Sequence, residues 1–142
     1  HSIEHIKQAI NLLTKEGRDI QATLFASPRR IKNKKWSRLI TDLGISFQPV
    51  SRSNDRLSEP NDEAIQKAMR AISVQSDEVA CIALLTSDTG FLDILLQLQL
   101  SGLSIIVLMD EMSHAAIGTY RDANIKVIQL QQERRNSCVR AI

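Results

Sequence analysis

Apolar and polar positions along the chain alternate between two periods. Ile3, Ile6, Ile10 and Leu13 recur at helical spacing over residues 3–16, and Gly17 suits a helix C-cap. Residues 20–26 (IQATLFA) read as a strand. Pro28 then opens a basic stretch that leads into a helix over about 31–43, stopped by Gly44. Residues 45–50 (ISFQPV) alternate, and Pro49 marks them as an edge strand, because proline cannot donate to a ladder. A polar loop follows, and Glu59-Pro60-Asn61-Asp62 opens a helix over about 61–73, with proline and acids where a helix start favours them. VACIALLT (79–86) and SIIVLM (104–109) are continuous apolar runs, the signature of parallel strands covered on both faces. Between them a helix over about 89–101 closes at Gly102. Ser113 is a good N-cap for a last helix ending near 122–124, and residues 125–130 form a final alternating strand.

This alternation predicts an α/β fold, a three-layer α/β/α arrangement around a mainly parallel sheet. With 142 residues the chain is about one domain long, and no linker or repeat divides it. We read residues 1–130 as that domain and 131–142 as a polar, basic tail. A doubly wound domain ordinarily starts with its most central strand, whereas here the first element is a helix that needs a sheet face to cover. A strand just before His1 is therefore expected to belong to the native domain.

Composition narrows the class without naming a function. Hydrophobic residues make up 43% and charged residues 24%, with 5 Gly and 3 Pro, which excludes disordered and collagen-like chains. No apolar run approaches the roughly 20 residues of a membrane helix, so no membrane partner is expected. The two cysteines, Cys81 and Cys138, have neither the pairing of a disulfide scaffold nor the clustering of a zinc site. Cys81 reads as a small buried hydrophobe, and a reducing intracellular compartment fits, with the cytosol expected and the nucleus or an organelle left open. The formal charge is only +2. What matters is how those charges are distributed.

In open parallel sheets, ligands bind outside the carboxyl ends of the strands. That edge carries Arg29, Arg30, Lys32, Lys34, Lys35, Arg52 and Arg56, together with Asp62, Glu63, Asp88, Asp110 and Glu111. Acids within a basic surround suit a phosphodiester substrate: carboxylates hold a divalent metal and cations neutralise phosphates. Asp88, in Thr86-Ser87-Asp88-Thr89-Gly90-Phe91, directly follows an apolar strand. Helix capping is its structural reading, and Thr89 could cap instead. Asp62 and Glu63 can equally be first-turn charges on a helix dipole. The basic run from Arg29 to Lys35 is either a solvated helix face or a nucleic-acid contact, with Trp36 available to stack a base. His114 is a candidate substrate contact; His1 and His5 are weak ones. Neither GxGxxG nor GxxxxGK[ST] occurs, which argues against dinucleotide and P-loop sites, and no GxSxG elbow supports a serine triad.

The stretch CIALLTSDTGFLDILLQLQLSGLSIIVLMDE, from Cys81 onward, resembles the signature of NYN domains, a branch of the PIN-like nucleases. There a hydrophobic strand ends in S/T-x-D-x-[DN]-F, and a helix leads through a glycine to another apolar strand. Glu59-Pro60-Asn61-Asp62-Glu63-Ala64-Ile65 resembles the family's acidic helix start, notably the paired-acid form of limkain-type meiosis regulators. Element order agrees over nearly all of residues 3–130. The resemblance implies a Mg²⁺- or Mn²⁺-dependent endoribonuclease acting on single-stranded RNA, with Asp88 and Asp62 catalytic and Asp62, Glu63 and Asp88 holding metal. It implies RNA contacts from Arg29, Arg30, Lys32, Lys34, Lys35, Trp36 and Arg52, and a homodimer or further RNA-binding domains in the parent chain. It also implies a central first strand, between residues 20–26 and 79–86, that carries a further acid; without it, a groove or unpaired edges should remain. Two departures stand out: that strand is not in the sequence, and Gly90 occupies a position where many members have Asp. Asp93 or Asp110 could compensate. The alternative is a catalytically degenerate NYN domain that binds RNA or docks a protein. An unrelated flavodoxin-like or receiver-like domain is the third reading.

Overall fold

Two parallel sheets, not one, organise the molecule. The computed structural model describes residues 2–16, 20–50, 60–75, 81–110 and 114–131. Its elements alternate as α1 (Ile3–Lys15), β1 (Thr23–Ala26), a short 3-10 helix (Pro28–Lys32), α2 (Lys34–Leu43), β2 (Ser46–Pro49), α3 (Pro60–Gln75), β3 (Cys81–Leu85), α4 (Leu92–Leu100), β4 (Ser104–Asp110), α5 (His114–Asp122) and β5 (Lys126–Leu130). β1 pairs with β2, and β3, β4 and β5 form a separate sheet in that order, every pair being parallel. The α/β class expected from the sequence therefore holds, and the sheet is divided. Pro49 ends β2 on the outside of its pair, opposite Ala26.

The core follows from strand alternation. Along β4, Ile105, Val107 and Met109 pack with residues of α3, α4 and α5, among them Met69, Ile94, Leu95, Leu98, Ile117 and Tyr120. Ile106 and Leu108 point to the other face and meet Ala9 and Leu13 of α1. Successive side chains leave a strand on opposite faces, so α1 covers one side of the larger sheet and α3, α4 and α5 the other. This is the three-layer arrangement. A third cluster, Ile6, Leu39 and Ile45, joins α1 and α2 to the smaller sheet through Ala22 and Leu24, and Leu85 of β3 packs against it too. Burying each such Leu or Ile fully contributes on the order of 1.5–3 kcal/mol, which is why β4 anchors the fold.

Local chemistry sets the element ends. Ser2 caps α1 by accepting from the His5 amide. The helix expected over 31–43 is interrupted, because Asn33 adopts an extended conformation and its Oδ1 accepts from Lys35 N–H. That N-cap starts α2 at Lys34 and leaves residues 28–32 as a separate 3-10 segment whose entry is capped by Ser27. Gly44, at φ +63, closes α2 in the left-handed region that suits glycine. The C-cap expected at Gly17 and the N-cap expected at Ser113 lie outside the described residues.

Candidate active site

The carboxyl ends of β3 and β4 gather the acids. Asp88 follows β3 in a tight turn: its amide donates to buried Thr86 Oγ1 at 3.0 Å, and its Oδ1 accepts the Gly90 amide at 3.0 Å. The carboxylate therefore closes a turn on Gly90 rather than capping a helix. α4 begins only at Leu92, whose amide meets the Thr89 carbonyl, so the hydroxyl of Thr89 is not the cap either. The helix expected from about residue 89 starts later for this reason. One oxygen of Asp88 takes a single amide, and a carboxylate offers about four acceptor positions, so the exposed group retains capacity for a ligand.

Tyr120 holds this turn from beneath. Its side chain is fully buried, and its hydroxyl donates to the Asp88 carbonyl at 2.6 Å. Burial pushes the phenol up to about 12, opposed by the Phe91 backbone and reinforced by the negative charges of Asp88 and Asp62. Both carboxylates disfavour the phenolate, so the Tyr120 hydroxyl stays a donor to the turn. One helical turn after Asp62, Gln66 Nε2 reaches the Gly90 carbonyl at 3.5 Å, along the same seam. Asp62 is half-buried and Glu63 exposed.

Asp110 closes the same edge on the opposite face. It shares the face of Ile106 and Leu108, and its Oδ2 lies 3.8 Å from His5 Nε2 in the first turns of α1. That contact is ionic only when the imidazole is protonated. His114 and Asp93 are exposed at the starts of α5 and α4. Among the described residues, no group of three or more His, Cys, Asp or Glu side chains converges.

The basic segment lies on the connection after β1. Arg29, Arg30, Lys32, Lys34 and Lys35 are all exposed across the 3-10 helix and the first turn of α2. Trp36 is half-buried against the Ile6, Leu39 and Ile45 cluster, and the Arg30 guanidinium sits over its ring, 4.9 Å from the centroid. That face of the indole already stacks on a cation, so an incoming base would meet Arg30 there. Arg52, Arg56, Glu59 and Glu111 lie outside the described residues.

Sequence reasoning undervalued two residues. His5 was weak because nothing in its neighbourhood signals a partner, and Asp110 is 105 positions away in the chain. Tyr120 was passed over, although a tyrosine within an otherwise apolar helix face is a fair candidate for a buried hydroxyl needing an acceptor. No protein-family model and no curated protein matches this chain. No described helix is long and apolar enough to cross a membrane.

Proposed function

We propose that this is a PIN-like NYN domain, a divalent-metal-dependent endoribonuclease that cleaves single-stranded RNA. What supports the reading is the exposed Asp88 carboxylate in the turn after β3, with the half-buried Asp62 in the first turn of α3 and an exposed basic segment on the connection after β1. The donors fit a hard cation: Mg²⁺ characteristically uses one or two carboxylates and keeps its remaining waters or takes substrate phosphate oxygens. Asp88 and Asp62 would hold it, with Glu63 alongside, and when bound it would supply Lewis acidity toward the phosphoryl group and a more acidic attacking water. Tyr120 and Thr86 fix the turn so that the Asp88 carboxylate keeps its position as substrate binds. Arg29, Arg30, Lys32, Lys34 and Lys35 offset phosphate charge along the strand, and Arg30 on Trp36 offers a flat cation to a base.

The alternative is a module that binds RNA through the exposed basic segment without cutting it. A single experiment separates the two. The protein is incubated with fluorescently labelled single-stranded RNA and Mn²⁺ or Mg²⁺, beside Asp88→Asn, with folding of both followed by circular dichroism. Cleavage abolished in a folded Asp88→Asn variant supports the nuclease. Binding without cleavage in the parent protein assigns the alternative, and equal cleavage by both proteins removes Asp88 from the chemistry.

A further inference from the structure

The connection after β1 carries a serine that the candidate site does not use. The prolines of the chain follow Ser27, Gln48 and Glu59, so Ser27-Pro28 is its one pair of a hydroxyl residue and proline. Arg30 stands at the third position beyond the serine, in Ser27-Pro28-Arg29-Arg30. Protein kinases of the proline-directed class take this pattern. The pocket after their target serine suits a residue with no amide hydrogen, and an acidic subsite further on pairs with a cation at the third position.

The structure presents the segment for such a reaction. Ser27 follows β1 in extended backbone, at φ −62 and ψ 148. Pro28, Arg29 and Arg30 are exposed, and the 3-10 helix they begin buries no residue. Even Ile31, its large apolar side chain, is exposed. Two bonds hold this helix to the serine: the Arg29 amide donates to Ser27 Oγ at 3.2 Å and the Arg30 amide to the Ser27 carbonyl at 3.0 Å. α2 has its own N-cap in Asn33, whose Oδ1 accepts from Lys35 N–H. Residues 28–32 can therefore be drawn into a kinase cleft as an extended strand without unwinding α2 or opening the core. Among the described residues Ser27 Oγ accepts that one amide and donates to none, so no bond is lost with its proton.

Charge decides what the product does. From Ile20 to Thr41 the chain holds Arg29, Arg30, Lys32, Lys34, Lys35 and Arg38 and no acid. All of these cations are exposed, and the Arg30 guanidinium rests on the Trp36 ring rather than on a carboxylate. A phosphoserine carries about −1.5 to −2 charges at neutral pH and accepts charge-assisted hydrogen bonds from arginine. At Ser27 it meets cations and no like charge in its own segment, and it cancels about a quarter to a third of the positive charge there.

We propose that Ser27 is a phosphorylation site, modified by a proline-directed protein kinase, and that its phosphate lowers the affinity of the basic segment for polyanions. In the reaction Ser27 Oγ forms a bond to the γ-phosphorus of ATP. The bond from that phosphorus to its bridging oxygen breaks, ADP leaves, and the hydroxyl proton passes to a base of the kinase. The modification rests on this segment alone; its effect on RNA rests on the function proposed above.

The test uses the folded protein, ATP with Mg²⁺, and a purified cyclin-dependent kinase. Mass spectrometry is expected to find one phosphate, on Ser27. It is absent from Ser27→Ala and forms about ten-fold more slowly in Arg30→Ala, the loss of one charge-assisted hydrogen bond in the kinase subsite. A synthetic peptide of residues 20–36 is treated in parallel. A modified peptide beside an unmodified folded protein overturns the proposal, as does failure of both or equal incorporation into Ser27→Ala. The phosphorylated protein is expected to leave heparin resin at a lower salt concentration than the unmodified protein. Identical elution overturns the effect on polyanions. Heparin reads the charge of the segment without requiring that the protein cut RNA, so failure of the nuclease reading and failure of this one are told apart.

Discussion

The two sheets contrast in how they are held. In the larger one, β4 runs between β3 and β5, and its residues Ile105 to Met109 are buried on both faces. In the smaller one, Ala26 alone among the residues of β1 and β2 is buried, and the pair leans on α1 and α2 for its apolar contacts. The larger sheet thus holds most of the buried core, and the smaller one carries the basic connection after β1.

The sharpest way to break that contrast is core truncation. Leu95→Ala, at a fully buried position of α4, is expected to cost about 2–5 kcal/mol in denaturant unfolding, and Leu24→Ala on half-buried β1 about 1 kcal/mol. Equal costs would mean that the smaller sheet is as much a part of the cooperative core as the larger.

Tyr120 gives the next largest effect, confined to the larger sheet's side. Its folded value, about 12, lies above the ordinary 10, so folding favours the neutral phenol. The stabilisation is fully present below pH 10 and is lost as pH rises from 10 through 12, amounting to about 2–3 kcal/mol. Tyr120→Phe is expected to cost about 1 kcal/mol at neutral pH, through the lost bond to Asp88, and to flatten unfolding free energy across that alkaline window. A parent protein whose stability does not fall between pH 10 and 12 would refute this account of the turn.

The smallest test uses two glycines. Gly44→Ala places a Cβ at φ +63 and is expected to lower stability by about 1 kcal/mol, whereas Gly118→Ala, in α5 with open space around it, should raise it by about 0.5–1 kcal/mol. Thermal melts of the two variants should therefore shift in opposite directions.

What was legible in the sequence follows from range. β3 and β4 announce themselves as continuous apolar runs because burial on both faces leaves no polar alternation. Pro49 disclosed an edge because it lacks a donor. Element starts were less visible where a side chain overrides helical pattern: Asn33 cuts α2 from the segment before it, and Asp88 holds Gly90 in a turn that delays α4. The strand-end rule brought Asp88, Asp62 and Asp110 to one edge, yet it could not tell that Asp110 shares its face with α1 while Asp88 rests on Tyr120. Side-chain alternation over a strand decides that, and so does a contact across 32 residues. Periodicity alone is silent on pairing partners, yet the two separate ladders agree with the unpaired edges expected from the sequence between residues 20–26 and 79–86.

One contact of α1 has a different character from its neighbours. Gln8 donates from Nε2 to the Gln131 carbonyl at 2.8 Å and accepts the Gln131 amide on Oε1 at 3.1 Å, so a side-chain amide takes the part of one more peptide at the end of β5. The other ties along this helix, Lys7 to Glu4, Glu16 to Lys126 and His5 to Asp110, are between ionisable groups. Added salt screens those. The glutamine clasp does not answer to it. In concentrated salt, α1 keeps its seat on the larger sheet through an uncharged joint while the electrostatic surface around it is rewritten.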